Sequence, residues 1–413
     1  MKSFIYFHIF LFLCNFCIIS AGWSLTLKEA LALSASHPVL LESRLNIDQI
    51  VSTAEDAGKR SADSVSLESE NVSGRLPGFS NAEVTLAFKR NILDRQKTKA
   101  QKRLAALSID DAKLEFNAMK REIGSRVQAA FHRVIALQNL YQNALEMSKI
   151  NLEMFEATKA RVEAGASPEQ EIVKAQLEID KFEVEQKNIE GKLEEAIVNL
   201  YREAGAEPIL NIEVVGTLTP DIELPEIEQL HQNIMNIHPT LLSIDQKLRE
   251  NSARQKLLKA ENRPSYSWVA GARNFIEEGS HAFVFAIEAE LPNRIANRGA
   301  RKATLIEKNK IETEKEKSHR ELLSTLQEQI IRFNRSKATA LRLRTQIMPS
   351  AQKSLEMSLD GYRLGKTDQL VVLESRKVYA EVARESLMAL SELYEAVNAI
   401  EQLTGICLVN ESH

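Results

Sequence analysis

Little in this sequence points to the chemistry of a compact secreted enzyme. Of 413 residues only three are Cys, ten are Pro and 15 are Gly. Cys14 and Cys17 lie inside the apolar run of the first twenty residues, so beyond it Cys407 alone remains, and one cysteine forms neither an internal disulfide nor a metal knuckle. Charge of one sign is also missing. There are 53 basic and 57 acidic side chains for a net charge of -4, which leaves no basic stripe for nucleic acid. Beyond the N-terminus no stretch reaches 18 apolar residues, so a membrane role would have to rest on β-strands. No nucleophile elbow, phosphate loop or HExxH pattern occurs, and no cofactor or enzymatic activity is expected.

What is present begins with an export signal. Lys2 is followed by an apolar run from Phe4 to Ile19 and then by small residues Ser20, Ala21 and Gly22. That layout predicts a signal peptide over 1–21, because the run falls short of the roughly 20 residues a spanning helix needs. Cys17 follows Asn15-Phe16, which is not a lipoprotein signal. Ala, Leu, Glu, Lys, Gln and Arg dominate the remainder and predict a largely helical chain.

An internal repeat near 200 residues organises it. His37-Pro38-Val39-Leu40-Leu41 returns as His238-Pro239-Thr240-Leu241-Leu242, and Ala100 returns at Ala300. Arg161, Gly165 and Ser167 are answered by Tyr362, Arg363, Gly365 and Thr367, and Gly205 by Gly405. Glycines and prolines held in one order across the chain define two copies of a single unit. The expected boundaries are 22–207 and 226–413, with Pro208, Pro220 and Pro225 in a connector over 208–225.

Each copy opens with a predicted helix (26–60 and 226–261) and continues with two strands. Val65 and Leu67, then Val84, Leu86 and Phe88, alternate with polar neighbours, and Gly74, Pro77 and Gly78 mark the loop between them. The second copy has Tyr266, Trp268 and Ala270, a loop at Glu277-Glu278-Gly279-Ser280, then Phe283, Phe285, Ile287 and Ala289. A transmembrane β-strand has this period, and so does a soluble hairpin. Long helices follow. Ile123, Val127, Ala130, Val134, Leu137, Tyr141 and Ala144 form a heptad seam in a helix predicted from Lys97 to Glu163, which would extend about 100 Å. Its counterpart runs from Asn297 to Leu364, interrupted at Pro349. Such lengths imply a bundle or tube. If the strands are membrane strands, four of them cannot close a barrel, so several chains must pool theirs; three would supply twelve.

Leu25-Thr26-Leu27, Glu29-Ala30-Leu31 and His37-Pro38 resemble the opening of the outer-membrane efflux protein (TolC) family. Pro349, Ala351, Ser354-Leu355, Tyr362-Arg363, Gly365-Lys366, Asp368, Val372-Leu373-Glu374 and Arg376 resemble its most distinctive stretch. The resemblance covers essentially the whole chain after the signal. It implies a trimeric α-helical barrel in the periplasm continuing into a 12-stranded transmembrane β-barrel, seated in outer-membrane lipid. It also implies an exit duct working with a periplasmic adaptor (membrane fusion) protein and an inner-membrane RND transporter. Ala270 to Phe283, with Leu291-Pro292-Asn293-Arg294 and Asn297-Arg298-Gly299, is similar to the cobalt–zinc–cadmium branch, which implies heavy-metal export. Multidrug or protein export on the same scaffold, and a soluble periplasmic coiled-coil adaptor, are the competing readings.

In that family the helix turns form the periplasmic tip where the adaptor docks. Carried over, the tip residues are Arg161, Gly165, Ser167, Tyr362, Arg363, Gly365, Thr367 and Asp368. Independently, a turn between antiparallel helices calls for Gly165 and Gly365 at positive φ, and Ser167 or Thr367 is placed to cap the next helix, with Pro168 in its first turn. No metal site is expected. His37 and His238 precede prolines at equivalent positions and suit local structure, and His281 stands alone in a loop. Glu277, Glu278 and Asp368 either bias a duct toward cations or are solvated surface charge.

Overall fold

A computed structural model describes residues 24–72, 80–210, 212–292 and 296–409. The expected signal peptide, the loop at Gly74, Pro77 and Gly78, and the Asn293-Arg294 turn lie outside the described residues. The fold is mainly α with a small β part. Its elements in order are β1 (Ser24–Leu25), α1 (Leu27–Leu33), α2 (Pro38–Ala54), β2 (Ser64–Glu70), β3 (Glu83–Ile92), α3 (Arg95–Glu163), α4 (Gln170–Ala204) and β4 (Glu213–Val214). The second half continues with α5 (Ile227–Ile237), α6 (Pro239–Glu261), β5 (Ser265–Phe275), β6 (Ser280–Glu290), α7 (Ala296–Arg342), α8 (Met348–Arg363) and α9 (Gln369–Thr404). Among the described residues no helix is long and apolar enough to cross a membrane.

The opening helix of each half is broken in two, where the sequence predicted one. Proline has no N–H and pushes the residue before it out of the α region. His37 (φ -56, ψ 130) and His238 (φ -66, ψ 126) accordingly leave helical geometry. Their imidazoles then serve the new helix: Nδ1 of His37 accepts from the Val39 amide at 3.2 Å, and Nδ1 of His238 from Thr240 at 3.3 Å. The opening motif has a similar explanation. Thr26 and Glu29 form a capping box at α1, with the Glu29 amide donating to Thr26 Oγ1 at 3.3 Å and the Thr26 amide to Glu29 Oε2 at 2.9 Å. The Thr26 amide holds the Glu29 carboxyl below its ordinary value.

Helix α3 runs 69 residues, close to expectation. Along its seam Ile123, Val127, Ala130, Val134 and Ala144 are buried, while Leu137 and Tyr141 are half-buried. In the second half the irregularity falls ahead of Pro349. Residues Leu343–Ile347 form a π-helical segment in which the Met348 amide reaches back to the Leu343 carbonyl. Pro349 cannot donate, and its ring needs the room that a widened turn provides.

By contact density the chain divides into two units that do not follow the repeat. One comprises Glu42–Ala118 and Met235–Glu321 and contains the sheet β2-β3-β5-β6. Every neighbouring pair there is antiparallel, and β3 joins β5 from Glu83↔Phe275 to Ile92↔Tyr266. Register sorts side chains onto two faces. Val65, Leu67, Leu86, Phe88, Trp268, Phe283, Phe285 and Ile287 share one, and Phe283 is 97% exposed. The other carries Glu68, Glu70, Glu83, Glu288 and Glu290 with Lys89 and Arg273; Arg273 pairs with Glu83 at 2.9 Å and Lys89 with Glu288. Strands β2 and β6 are the two edges.

The other unit holds the chain up to Leu41, Met119–Ile234 and the chain from Leu322. Its core draws on α3, α4 and α9, with Phe131, Leu200, Leu393 and Ile400 fully buried. His132 is buried beside them, its ring 4.5 Å from that of Tyr394, and burial lowers its pKa to about 4. An unfolded His titrates near 6.5, so the stability from keeping it neutral is fully present above that pH. It is lost as pH falls toward the folded value, a change on the order of 3 kcal/mol. Denaturation of the protein at pH 7 and pH 4 should show this loss, and His132→Phe should remove most of it. Equal pH dependence in both proteins would contradict the burial account.

Candidate functional site at the helix turns

The second unit described above places two helical hairpins side by side, α3–α4 and α8–α9, and the predicted tip residues sit at their turns. Both turns close in one way. The Gly165 amide donates to the Val162 carbonyl at 2.9 Å and the Ala166 amide to Arg161 at 2.8 Å. Two hundred residues on, Gly365 donates to Tyr362 at 3.0 Å and Lys366 to Gly361 at 2.7 Å. This pair of bonds requires a left-handed residue after the helix, and Gly165 and Gly365 both have φ +71.

Arg161 ties the turns together. Its Nη1 donates to the Tyr362 carbonyl at 2.7 Å, its Nε donates to Ser167 Oγ at 3.2 Å, and its guanidinium lies 4.6 Å from the Tyr362 ring centre. Tyr362 is only 1% exposed. Its hydroxyl shares a hydrogen bond with Thr158 Oγ1 at 2.9 Å and meets Glu171 Oε2 at 3.3 Å. Burial raises its pKa, so it is a neutral phenol. Tyr362 therefore braces the two turns from inside and offers no side-chain surface to a partner. Arg363 is exposed and pairs with Glu153 at 2.8 Å and Asp360 at 3.6 Å.

The capping expectation is corrected. The hydroxyl of Ser167 is occupied by Arg161, and α4 starts behind Glu169 without a side-chain cap. Thr367 folds back over Gly361, where an added Cβ would meet its methyl at 2.9 Å, and donates to the Ser358 carbonyl at 3.2 Å. Asp368 stands at the N-cap of α9, exposed and without a side-chain cap bond. Pro168 lies just ahead of α4 and accepts from the Glu171 amide at 3.0 Å.

Sequence reasoning missed a second link. Arg376 of α9, with 13% of its side chain exposed, donates to Asn151 of α3 and Glu178 of α4. Burial pushes the Glu178 carboxyl up, but the bonds from Arg376 and Lys181 outweigh it and the net shift is downward. Gln369 is buried and donates to the Glu171 carbonyl at 3.1 Å, and Arg384 pairs with Glu185. The available signal was an Arg on the face of α9 that also carries Val372, but arginines of a coiled coil are common on solvated faces, and nothing in spacing alone separates the two cases.

The arrangement braces two turns and presents charge. Among the described residues no group of three His, Cys, Asp or Glu could hold a metal ion. The chain matches the family description "Outer membrane efflux protein" over 35–206 and 265–406. It belongs to that family. It is an outer-membrane efflux channel protein and not an enzyme. Among curated proteins it is similar to the cobalt-zinc-cadmium resistance protein CzcC of Cupriavidus metallidurans, 24% identical over 296 residues, which are 70% of this chain and 68% of that one. Among solved structures it is similar to the outer membrane protein VceC of Vibrio cholerae, with TM-score 0.74, 16% identity, and 93% of this chain and 97% of that chain covered. The transmembrane channel protein CusC gives TM-score 0.74 at 15% identity, covering 94% of each chain. These two likenesses establish the fold.

Removing the Arg161 guanidinium takes away a charged donor on a backbone carbonyl, worth on the order of 1–2 kcal/mol. In Arg161→Ala, amides of the second turn around Gly365 should exchange hydrogen about tenfold faster, while those of the sheet do not change. Unchanged exchange at the turn would show that Arg161 does not brace it.

Proposed function

We propose that this protein is the exit duct of a tripartite efflux system that exports heavy-metal cations. The supporting observation is the four-stranded sheet, which is mainly apolar on one face, where Arg90 lies over the Phe88 and Trp268 rings, charged on the other and open at both edges. Edges with unpaired N–H and C=O groups are not tolerated in lipid, so the sheet becomes a membrane element only when chains pool strands. Three chains give twelve strands, within the range for such barrels. The repeat boundaries expected from sequence, 22–207 and 226–413 about a 208–225 connector, belong to the same reading, as does export through a signal over 1–21.

The cargo follows from two further observations. Glu68, Glu70, Glu83, Glu288 and Glu290 outnumber Lys89 and Arg273 on the charged face, a balance that favours cations in a water-filled lumen. The sequence likeness to CzcC supports metal cations in particular. Selection is left to an inner-membrane RND transporter, because the described part of the duct has no multidentate metal site. A periplasmic adaptor docks on the exposed parts of the turns, at Gly165, Arg363, Gly365 and Asp368, with Arg161, Ser167, Tyr362 and Thr367 holding their shape.

Deleting the gene should sensitise cells to cobalt, zinc or cadmium, and the protein should fractionate with outer membranes as a heat-modifiable oligomer. A purified protein that stays monomeric and soluble without detergent would end the duct reading. Gly365→Pro forces φ from +71 to about -65 and so breaks the turn. That variant should lose metal export while the oligomer still assembles; full resistance would remove the docking assignment.

A further inference from the structure

All four joins between the sheet and its helices lie at one end of the sheet. Ser64, which follows α2, pairs with Lys89, and Ile92, which precedes α3, pairs with Tyr266. Ser265, which follows α6, pairs with Glu290, which precedes α7. Each join carries exposed cations. Arg60 stands before β2, and Arg95 and Lys97 follow β3. Lys259 and Arg263 stand before β5, and Arg298 and Arg301 follow β6. Of the acids here, Asp56 is paired with Lys59, Asp63 with Arg90 at 2.7 Å and Arg60 at 3.7 Å, and Asp94 with Arg263 at 3.7 Å. At the opposite end the sign reverses, with Glu70 and Glu83 paired to Arg273, and Glu277 and Glu278 in the loop between β5 and β6. A chain of net charge -4 thus gathers positive charge on one rim of its sheet.

One point of this rim also belongs to the apolar face. Asp63 precedes the Ser64↔Lys89 pair and so stands opposite Arg90, on the face that carries Val65, Phe88 and Trp268. Arg90 donates to Asp63 Oδ2 through Nε at 3.1 Å and through Nη2 at 2.7 Å. Its guanidinium lies 5.2 Å from the Phe88 ring centre and 5.8 Å from that of Trp268. Two guanidinium groups share one carboxylate, which leaves one net positive charge beside an aromatic pair. A phosphodiester carries the complementary charge, and a guanidinium fork suits its oxygens. A free anion would use the charge alone, whereas a lipid would use the rings as well. We propose that Arg60 and Arg90 bind the phosphate of an anionic phospholipid whose chains run over Phe88 and Leu86, and that the cationic rim gathers such lipids around this end of the sheet.

The proposal rests on the duct reading for the membrane itself. In the full-length chain, Trp23→Phe leaves Trp268 as the one tryptophan. Its emission should be quenched when the protein is reconstituted in phosphatidylcholine with brominated acyl chains. Unbrominated phosphatidylglycerol should relieve the quenching at about fivefold lower mole fraction than unbrominated phosphatidylcholine, the factor expected for one net charge at a bilayer surface. Arg60→Gln should remove most of this preference, and Asp63→Asn, which releases Arg90, should raise it. A merely structural role does not give opposite shifts from two neighbours between α2 and β2. Equal relief by the two lipids, or a preference unchanged in Arg60→Gln, overturns the proposal. So does a preference abolished by millimolar inorganic phosphate, which would make this a site for free anions. If Asp63→Asn does not assemble, Arg60→Gln decides alone. Trp268 emission indifferent to brominated lipid of either headgroup would overturn the duct reading, and this proposal with it.

Discussion

The antiparallel ladder between β3 and β5 is the constraint on which the rest of the sheet depends. It joins strands about 180 positions apart in sequence over ten register pairs, from Glu83↔Phe275 to Ile92↔Tyr266. A lone two-stranded hairpin is marginal in water, and each half of the chain supplies one such hairpin. Only when paired do Val65, Leu67, Leu86, Phe88, Phe283 and Phe285 become one apolar face and the glutamates the other. The same pairing makes β2 and β6 the two edges of the sheet.

A different economy governs the turns. Four arginines, Arg161, Arg363, Arg376 and Arg384, carry bonds between the hairpins, and the buried Tyr362 lies among those at the turns. Guanidinium forks satisfy backbone and carboxylate acceptors together, and this suits a place where two helices end and their last carbonyls lack partners. The apolar contribution there is small, limited to Met154, Tyr362 and Val372 with a few half-buried neighbours. Shape at the turns is thus set mainly by directional bonds, in contrast to the seam around Ile123 and Val127.

Much of this was legible in the sequence because it has a local cause. Positive φ at Gly165 and Gly365, the seam of α3 and the alternation of the strands all follow from spacing and residue type. The failures share a cause as well. Ser167 and Thr367 are good capping residues by type, yet Arg161 and Gly361, brought close by the turn itself, claim them first. The His-Pro pairs were readable as local structure, but the break they impose on the opening helices was not anticipated. Tyr362 looked like a surface residue until its partners Thr158 and Glu171, some 200 residues away in sequence, were in place. Arg376 depended in the same way on Asn151 and Glu178.

The regular seam of α3 has a consequence for how such a protein can change over generations. Because seven residues return a helix to nearly the same face, a matched heptad inserted into both arms of each hairpin would shift the turns by about 10 Å without reorienting them. Insertions that do not restore the helical phase would rotate Arg161 away from Tyr362. Length in this architecture is therefore a quantised variable, adjustable to the width of the compartment it crosses, while the bonding at the turns is inherited intact.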